Sequence, residues 1–336
     1  MTVRAAIVGL GRWGRSLVNS VHGKTDAIKF VAAYTRTRAS ADDYCRERGI
    51  PLLDSYEAVL KSDIDAVVLA TPHTQHAEQV KAAIATGKHV HVEKPLTLDR
   101  ASAVDVVAAA KRAGIVLAVG FNRRFHPSVV EIRKRLADGR LGQVESMVAT
   151  HTTSTGQFIA ADNWRAQPDE APGGAITAVG VHSIDAMIEF GGEVRDVLAT
   201  AGRYIPDSPS DDTTNIMLRF KNGATGLLSC SVATATTLSF TLFGTKGLAE
   251  FSRPNLARFR FTPVSTAAPT GPVTAPPDEI IETESFDMLN AELIEFARCI
   301  EGKRPYPVAI DQVLHGMAVF DAVVRSTKSG QIEKVE

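Results

Sequence analysis

Apolar positions come in short unbroken blocks through the first third of the chain and alternate with polar ones through the middle. Residues 4–8, 28–34, 65–70, 89–92 and 116–119 are near-continuous apolar or β-branched runs, the pattern of strands buried on both faces of a parallel sheet. Helical stretches separate them. Leu17, Val18 and Val21 recur at helical spacing, 42–48 stops at Gly49 and Pro51, 56–60 is short, 77–86 closes at Gly87, and 101–113 ends at Gly114. This alternation predicts a doubly wound parallel sheet complete near residue 120. Beyond residue 140 the blocks 144–153, 194–204, 213–220, 224–232, 237–243 and 248–251 alternate or are β-branched, and Lys221-Asn222-Gly223 reads as a hairpin turn. Strands in succession predict an antiparallel or mixed sheet, one face of which needs a cover.

Length agrees with two domains, 1–120 and 121–336, with a last helix near 309–327 expected to pack back on the first. The proline-rich stretch 263–277 reads as an exposed connection within the second domain. With 44% hydrophobic and 22% charged residues, and 37 Lys plus Arg against 38 Asp plus Glu, the chain is an ordinary globular protein with no charge bias toward nucleic acid or an anionic membrane. Cys45, Cys230 and Cys299 are odd in number and widely spaced, which suggests reduced thiols in the cytoplasm. The first strand begins almost at the start and no apolar run is long enough to span a bilayer, so neither a signal peptide nor a membrane anchor is expected.

The first apolar run stops at Gly9-Leu10-Gly11-Arg12-Trp13-Gly14, a G-x-G-x-x-G between a strand and a helix. Gly9 allows the tight turn, Gly11 lets a pyrophosphate approach the backbone and Gly14 lets the helix lie close to the sheet, so a Rossmann dinucleotide site is expected here, with Arg12 and Trp13 beside it. The second strand ends in Tyr34-Thr35-Arg36-Thr37-Arg38. An NAD site usually has an acid there to bind the ribose hydroxyls. Thr35, Arg36 and Arg38 favour a 2′-phosphate instead, hence NADP, with NAD as the alternative.

Ligands of such sheets bind beyond the carboxyl ends of the strands. Thr71, Pro72, His73 and His76 follow the third run and Glu93-Lys94-Pro95 follows the fourth, so both segments should line the cofactor crevice. His73, His76, His89 and His91 invite a zinc reading, but no carboxylate or cysteine completes a ligand set, and no metal is expected.

Taken together, the glycine motif, Thr71-Pro72 followed by His76, Gly87-Lys88-His89-Val90 leading to Glu93-Lys94-Pro95, and Gly120-Phe121-Asn122-Arg123-Arg124-Phe125 resemble the Gfo/Idh/MocA oxidoreductases. The resemblance continues through Trp164-Arg165, Gly173-Gly174, Gly180 with His182 and Asp185, Asp211-Asp212-Thr213, Phe243-Gly244-Thr245-Lys246-Gly247 and a closing helix over 311–326, and so covers essentially the whole chain.

That resemblance implies reversible hydride transfer between the nicotinamide and a carbon of a sugar, polyol or related small molecule bearing a hydroxyl or carbonyl. It makes Lys94 the candidate for proton transfer, since desolvation and an oxidised nicotinamide both disfavour its ammonium form. His182 is the second candidate. The family pattern usually places Asp four residues before this histidine, whereas this chain has Ala178. The departure leaves three readings open: a different substrate or Lys94 acting alone, a redox-neutral cofactor-dependent lyase or glycosidase, and a cofactor-binding sensor without turnover. By the same resemblance Asn122, Trp164 and Arg165 lie at the nicotinamide end and Arg123 and Trp164 near the substrate. Arg124 is either a substrate contact or structural, and Phe158 and Asn163 are further pocket candidates. The resemblance also implies that the second domain is α+β, an open, largely antiparallel sheet packed by helices on one side, with the other face pairing with another copy of the chain, as a homodimer or homotetramer.

Overall fold

The computed structural model describes residues 2–252, 256–265, 276–283 and 285–336. Strand β1 (Val3–Val8) is buried along almost its whole length because it has a parallel neighbour on each side. These are β2 (Ile28–Tyr34) and β3 (Ala66–Leu69), and β4 (His89–Val92) and β5 (Leu117–Val119) extend the sheet to the order β2-β1-β3-β4-β5. Such strands contact apolar groups on both faces, which is why their sequences do not alternate. The intervening helices are α1 (Arg12–Val21), α2 (Asp42–Glu47), α3 (Tyr56–Lys61), α4 (His76–Ala85) and α5 (Arg100–Ala113). Helix α5 is capped at both ends, by Asp99 accepting from the Ser102 N–H at 2.8 Å and by Gly114 in the left-handed conformation.

Helix α6 (Pro127–Ala137) precedes β6 (Val144–Thr152), and a π turn over Ile176–Gly180 runs directly into α7 (Val181–Gly191). Then follow β7 (Val194–Gly202), β8 (Thr213–Phe220), β9 (Thr225–Ser231), β10 (Thr237–Gly244), β11 (Gly247–Ser252), β12 (Arg258–Pro263) and β13 (Glu279–Glu282). With β14 (Glu333–Lys334) they form a sheet of order β13-β12-β11-β10-β6-β9-β8-β7-β14, antiparallel except where β6 meets β9. Gly223, at φ 93°, closes the hairpin between β8 and β9. One face is buried under α7, where Phe240 stacks on Phe251 at 5.1 Å and meets the edge of Phe190 at 5.8 Å. The proline-rich stretch lies for the most part outside the described residues.

The chain divides into two compact units, Met1–Asn122 with Asp287–Leu314 and Arg123–Phe286 with His315–Glu336. Helix α8 (Met288–Gly302) therefore belongs to the first unit, unlike a single cut at residue 120. Its Leu293, Phe296 and Ala297 are buried, and Asn290 donates to the Ser20 carbonyl of α1 at 2.7 Å. Helix α9 (Ile310–Ser329) starts in the first unit and continues in the second. Among the described residues no helix is long and apolar enough to cross a membrane.

Candidate active site

In the first unit the turn out of β1 leaves no room for side chains. Gly9 has φ 93°, and a Cβ there would lie 2.6 Å from the Ala70 carbonyl oxygen. A Cβ on Gly14 would come within 1.9 Å of the Gly9 carbonyl oxygen, so α1 lies against the turn only because both are glycine. Around Gly11, by contrast, the space is open, and as N-cap of α1 it offers no side chain to the first N–H groups. No acidic residue stands in the first turn of α1. Tight turn, close helix and an open, uncapped N-terminus fit a dinucleotide pyrophosphate. Arg12 is exposed, while Trp13 is half-buried with its indole nitrogen enclosed.

At the end of β2, Thr35 is half-buried and Arg36 exposed. Arg38 pairs with Asp42 at 3.3 Å and Asp54 at 2.5 Å, so its guanidinium is already engaged. The two arginines that look alike in sequence are thus not equivalent.

Past β3, Thr71 donates to Gln79 Oε1 at 2.6 Å, and Pro72 and His73 are half-buried. His76 is fully buried, with Nδ1 2.8 Å from the Pro95 carbonyl oxygen and Nε2 3.1 Å from that of Thr71. The ring lies between the segment after β3 and the segment after β4, where a neutral imidazole donates its one N–H to one of the two carbonyls, and the side chain is wholly enclosed. His73 packs edge-on against it at 5.7 Å. His89 accepts from the Val116 N–H at 2.9 Å, and His91 faces Glu292. His73 and His76 thus meet each other while His89 and His91 have separate partners, and among the described residues no group of three side chains is arranged to hold a metal ion.

Strand β4 delivers Glu93, buried, and Lys94, half-buried, to the carboxyl edge of the sheet. Burial and the nearby Glu292 carboxylate push Glu93 up to about 7, against the pull of His91, Trp13 and Lys94. Asn122, at the end of β5, is buried.

The second unit holds the remaining candidates. Arg123 donates from Nη2 to Nε2 of His151 at 2.9 Å, and Nδ1 of His151 lies 2.8 Å from the Val179 carbonyl oxygen. That carbonyl requires Nδ1–H as donor, which leaves Nε2 to accept from Arg123: a neutral imidazole of fixed tautomer. Burial lowers Arg123 to about 10. The His182 ring lies 6.5 Å from that of His151, and a small pocket is lined by Arg123, His182, Leu238, Phe240 and Phe251. Ala178 is exposed within the π turn, four residues before His182.

Arg124, which lines the same pocket, makes a buried two-point pair with Asp185 and also reaches Glu189 at 3.4 Å. Trp164 carries the Arg165 guanidinium over its ring at 4.2 Å in a short turn capped by Asn163, and Phe158 stands 81% exposed. His151 was not among the sequence candidates. Its signal is a histidine in phase with the buried Met147 and Ala149 on β6.

A doubly wound sheet with this glycine cradle and a lysine at the end of its fourth strand defines a dinucleotide-dependent oxidoreductase. Comparison with known proteins agrees. Residues 3–121 match the oxidoreductase family with an NAD-binding Rossmann fold, and residues 129–250 match the GFO/IDH/MocA C-terminal domain. D-xylose 1-dehydrogenase (NADP(+)) 2 of Haloferax volcanii is 30% identical over 321 residues, 94% of each chain. Inositol 2-dehydrogenase of Rhizobium meliloti is 28% identical over 337 residues, 97% of each. The structure of levoglucosan dehydrogenase in complex with NADH shares the fold at a TM-score of 0.90 and 21% identity, covering both chains fully. The chain belongs to the Gfo/Idh/MocA family of oxidoreductases.

Proposed function

We propose that the protein transfers a hydride reversibly between NADP and an alcohol or carbonyl carbon of a sugar, polyol or related small molecule. The observation that carries this reading is Lys94, half-buried at the carboxyl edge of the sheet that holds the Gly9 to Gly14 cradle. Similarity over nearly the whole chain to dehydrogenases named for xylose and inositol supports the substrate class. A bound nicotinamide dinucleotide supplies the hydride acceptor or donor. Lys94 takes the hydroxyl proton as the carbinol carbon gives up hydride, and returns it to the carbonyl oxygen in reduction. Arg123, held by His151, and His182 orient the substrate.

Preference for NADP rests on Arg36, exposed at the end of β2 where no acid stands. Arg38 contributes less, since Asp42 and Asp54 already hold it. The departure at Ala178, where the family pattern usually has Asp, keeps open a second reading, a redox-neutral enzyme in which the cofactor is reduced and reoxidised within one turnover. Fluorescence titration with NADPH and NADH, followed by a panel of sugars, polyols and small carbonyls read at the nicotinamide absorbance, tests both. Net absorbance change with a panel member supports the dehydrogenase; product without net change supports the alternative; no cofactor binding overturns both.

The protein works as a homo-oligomer joined through the large sheet. Leu198, Met217, Leu227 and Val148 are directly opposed in successive strands β7, β8, β9 and β6, and all four are exposed. An apolar row of that kind suits the same row of a second copy. Three free, buried cysteines fit a reducing cytoplasm.

A further inference from the structure

Where β1 and β2 end, the Gly9 N–H donates to the Tyr34 carbonyl at 2.8 Å, and beyond that bond the two segments part. One enters α1 through the glycine cradle. The other runs through Thr35 and Arg36 into a short helical turn over Arg38–Ser40. Arg15, on α1, spans the gap between them: its Nε donates to the Leu10 carbonyl at 3.2 Å and its Nη2 to the Ser40 carbonyl. A guanidinium carries its donors on separate nitrogens of one rigid plane and so holds two carbonyls together, which an ammonium, a single point, does not.

The guanidinium is itself held. Its Cζ lies 5.0 Å from the centre of the Tyr44 ring, and Arg48 Cζ lies 3.8 Å from the same ring. The Tyr44 hydroxyl reaches Oδ1 of Asn19 on α1 at 2.9 Å, and that oxygen also accepts from Arg48 Nε at 3.2 Å. Side chains of α1 and of the α2 segment thus fix where Arg15 points its donors.

From Ser40 the hold passes back along the turn. The Ser40 N–H and hydroxyl both donate to the Thr37 carbonyl, at 3.3 and 2.8 Å, and Thr37 directly follows Arg36. Arg38 anchors the same turn through Asp42 and Asp54. Arg36 stands exposed just before it. An exposed arginine on a loose segment grips a phosphate only after the segment is ordered, and a segment ordered beforehand removes that cost from binding.

We propose that Arg15 is a positioning residue for recognition of the cofactor's 2′-phosphate: by joining Leu10 of the cradle to Ser40, it holds the segment that carries Arg36. The inference rests on the reading of Arg36 as the partner of that phosphate. It gives a role in cofactor choice to a side chain outside both the glycine motif and the end of β2, within the same compact unit.

Dissociation constants for NADPH and NADH, read by fluorescence titration, test it through their ratio. An arginine that merely stabilises the fold would weaken both cofactors alike. Arg15→Met and Arg15→Lys should each lower the preference for NADPH about fivefold, the lysine variant too because it keeps the charge but not the two-point contact. In an Arg36→Ala background Arg15→Met should lower the preference no further. A wild-type ratio in Arg15→Met overturns the proposal. So does a wild-type ratio in Arg15→Lys alone, which would mean that Arg15 acts by charge at a distance, or a further loss in the Arg36→Ala background. Should the Arg15 variants fail to fold, Ser40→Ala at an exposed position removes the hydroxyl link to Thr37, and the ratio should fall in the same direction by less; no change there overturns the proposal. The parent reading fails separately, if wild type and Arg36→Ala each bind the two cofactors equally.

Discussion

Arg124 meets Asp185 at two points, Nε to Oδ2 at 2.8 Å and Nη2 to Oδ1 at 2.7 Å, with both side chains almost wholly buried. Glu189 adds a second acid and Arg133 a second guanidinium, which donates from Nε to Glu189 at 2.7 Å. Removing one member strands a buried charge. Asp185→Ala should lower the unfolding free energy by about 3–5 kcal/mol, with Asp185→Asn losing less, as read from denaturant midpoints at unchanged slope. An Asp185→Ala midpoint equal to wild type would mean that the four charges do not act together.

Arg123 has a different fate one residue earlier: its partner is the neutral ring of His151, so its positive charge is not cancelled by that contact. If it orients the substrate as proposed, Arg123→Lys should raise KM about tenfold by losing the planar two-point donor, with little change in cofactor affinity. Lys94→Ala should instead lower kcat by about 10²–10⁴ with NADPH binding intact. Steady-state kinetics beside fluorescence titration separate the two effects, and a Lys94→Ala enzyme with wild-type kcat would remove Lys94 from proton transfer.

At the end of β2, Arg36→Ala should weaken NADPH binding about tenfold and leave NADH unchanged, since a guanidinium–phosphate pair is lost only with the phosphorylated cofactor. Arg38→Ala should do less to NADPH, because Asp42 and Asp54 already engage that side chain. Equal NADPH and NADH affinities in both wild type and Arg36→Ala would leave the cofactor preference without a basis.

Stability should carry a pH signature from His126. It caps α6 by accepting the Ser128 N–H on Nδ1 at 3.1 Å, and burial lowers it from 6.5 to about 4. Between those values the unfolded chain binds the extra proton and the folded one does not. Stability is therefore full above pH 6.5 and falls as the pH drops toward 4, by about 1–2 kcal/mol after allowance for partial solvation. His126→Asn, which keeps a capping acceptor without a titrating ring, should flatten that part of the profile in thermal or denaturant unfolding. An unchanged slope would assign the acid sensitivity to other groups.

What could be read in the sequence follows from how local each signal is. The strands of the parallel sheet are buried on both faces, so their apolar runs announce them, and the glycines of the cradle sit within six residues of one another. Strand β12 does not announce itself although Arg258, Phe259, Arg260 and Phe261 alternate, because two of its six residues are charged; Arg260 is held by Glu250 at 2.9 Å in the neighbouring strand. Pairings across long sequence separations left no trace. Arg38 and Arg36 differ because Asp54, together with the nearby Asp42, lies beside one of them, and Glu292 reads as a surface acid until Tyr306 and His91 are seen around it.

The exposed row on the large sheet gives a test of assembly. Val148 pairs with Leu227, Leu227 with Met217 and Met217 with Leu198, so four apolar side chains on neighbouring strands point to the same face. The row continues into Thr241 and Glu250, which bounds the apolar strip on one side with a charge. Leu227 is 51% exposed, too open to contribute to the core of its own unit, so Leu227→Asp should leave the unfolding midpoint of a monomer nearly unchanged. Facing a second copy, the same carboxylate would be buried against apolar groups and against its own symmetry mate, a cost that a two-fold interface incurs twice. Light scattering coupled to size exclusion should therefore show an oligomer for wild type and a folded monomer for Leu227→Asp. A variant that remains oligomeric at the wild-type mass would place the contact elsewhere on the chain.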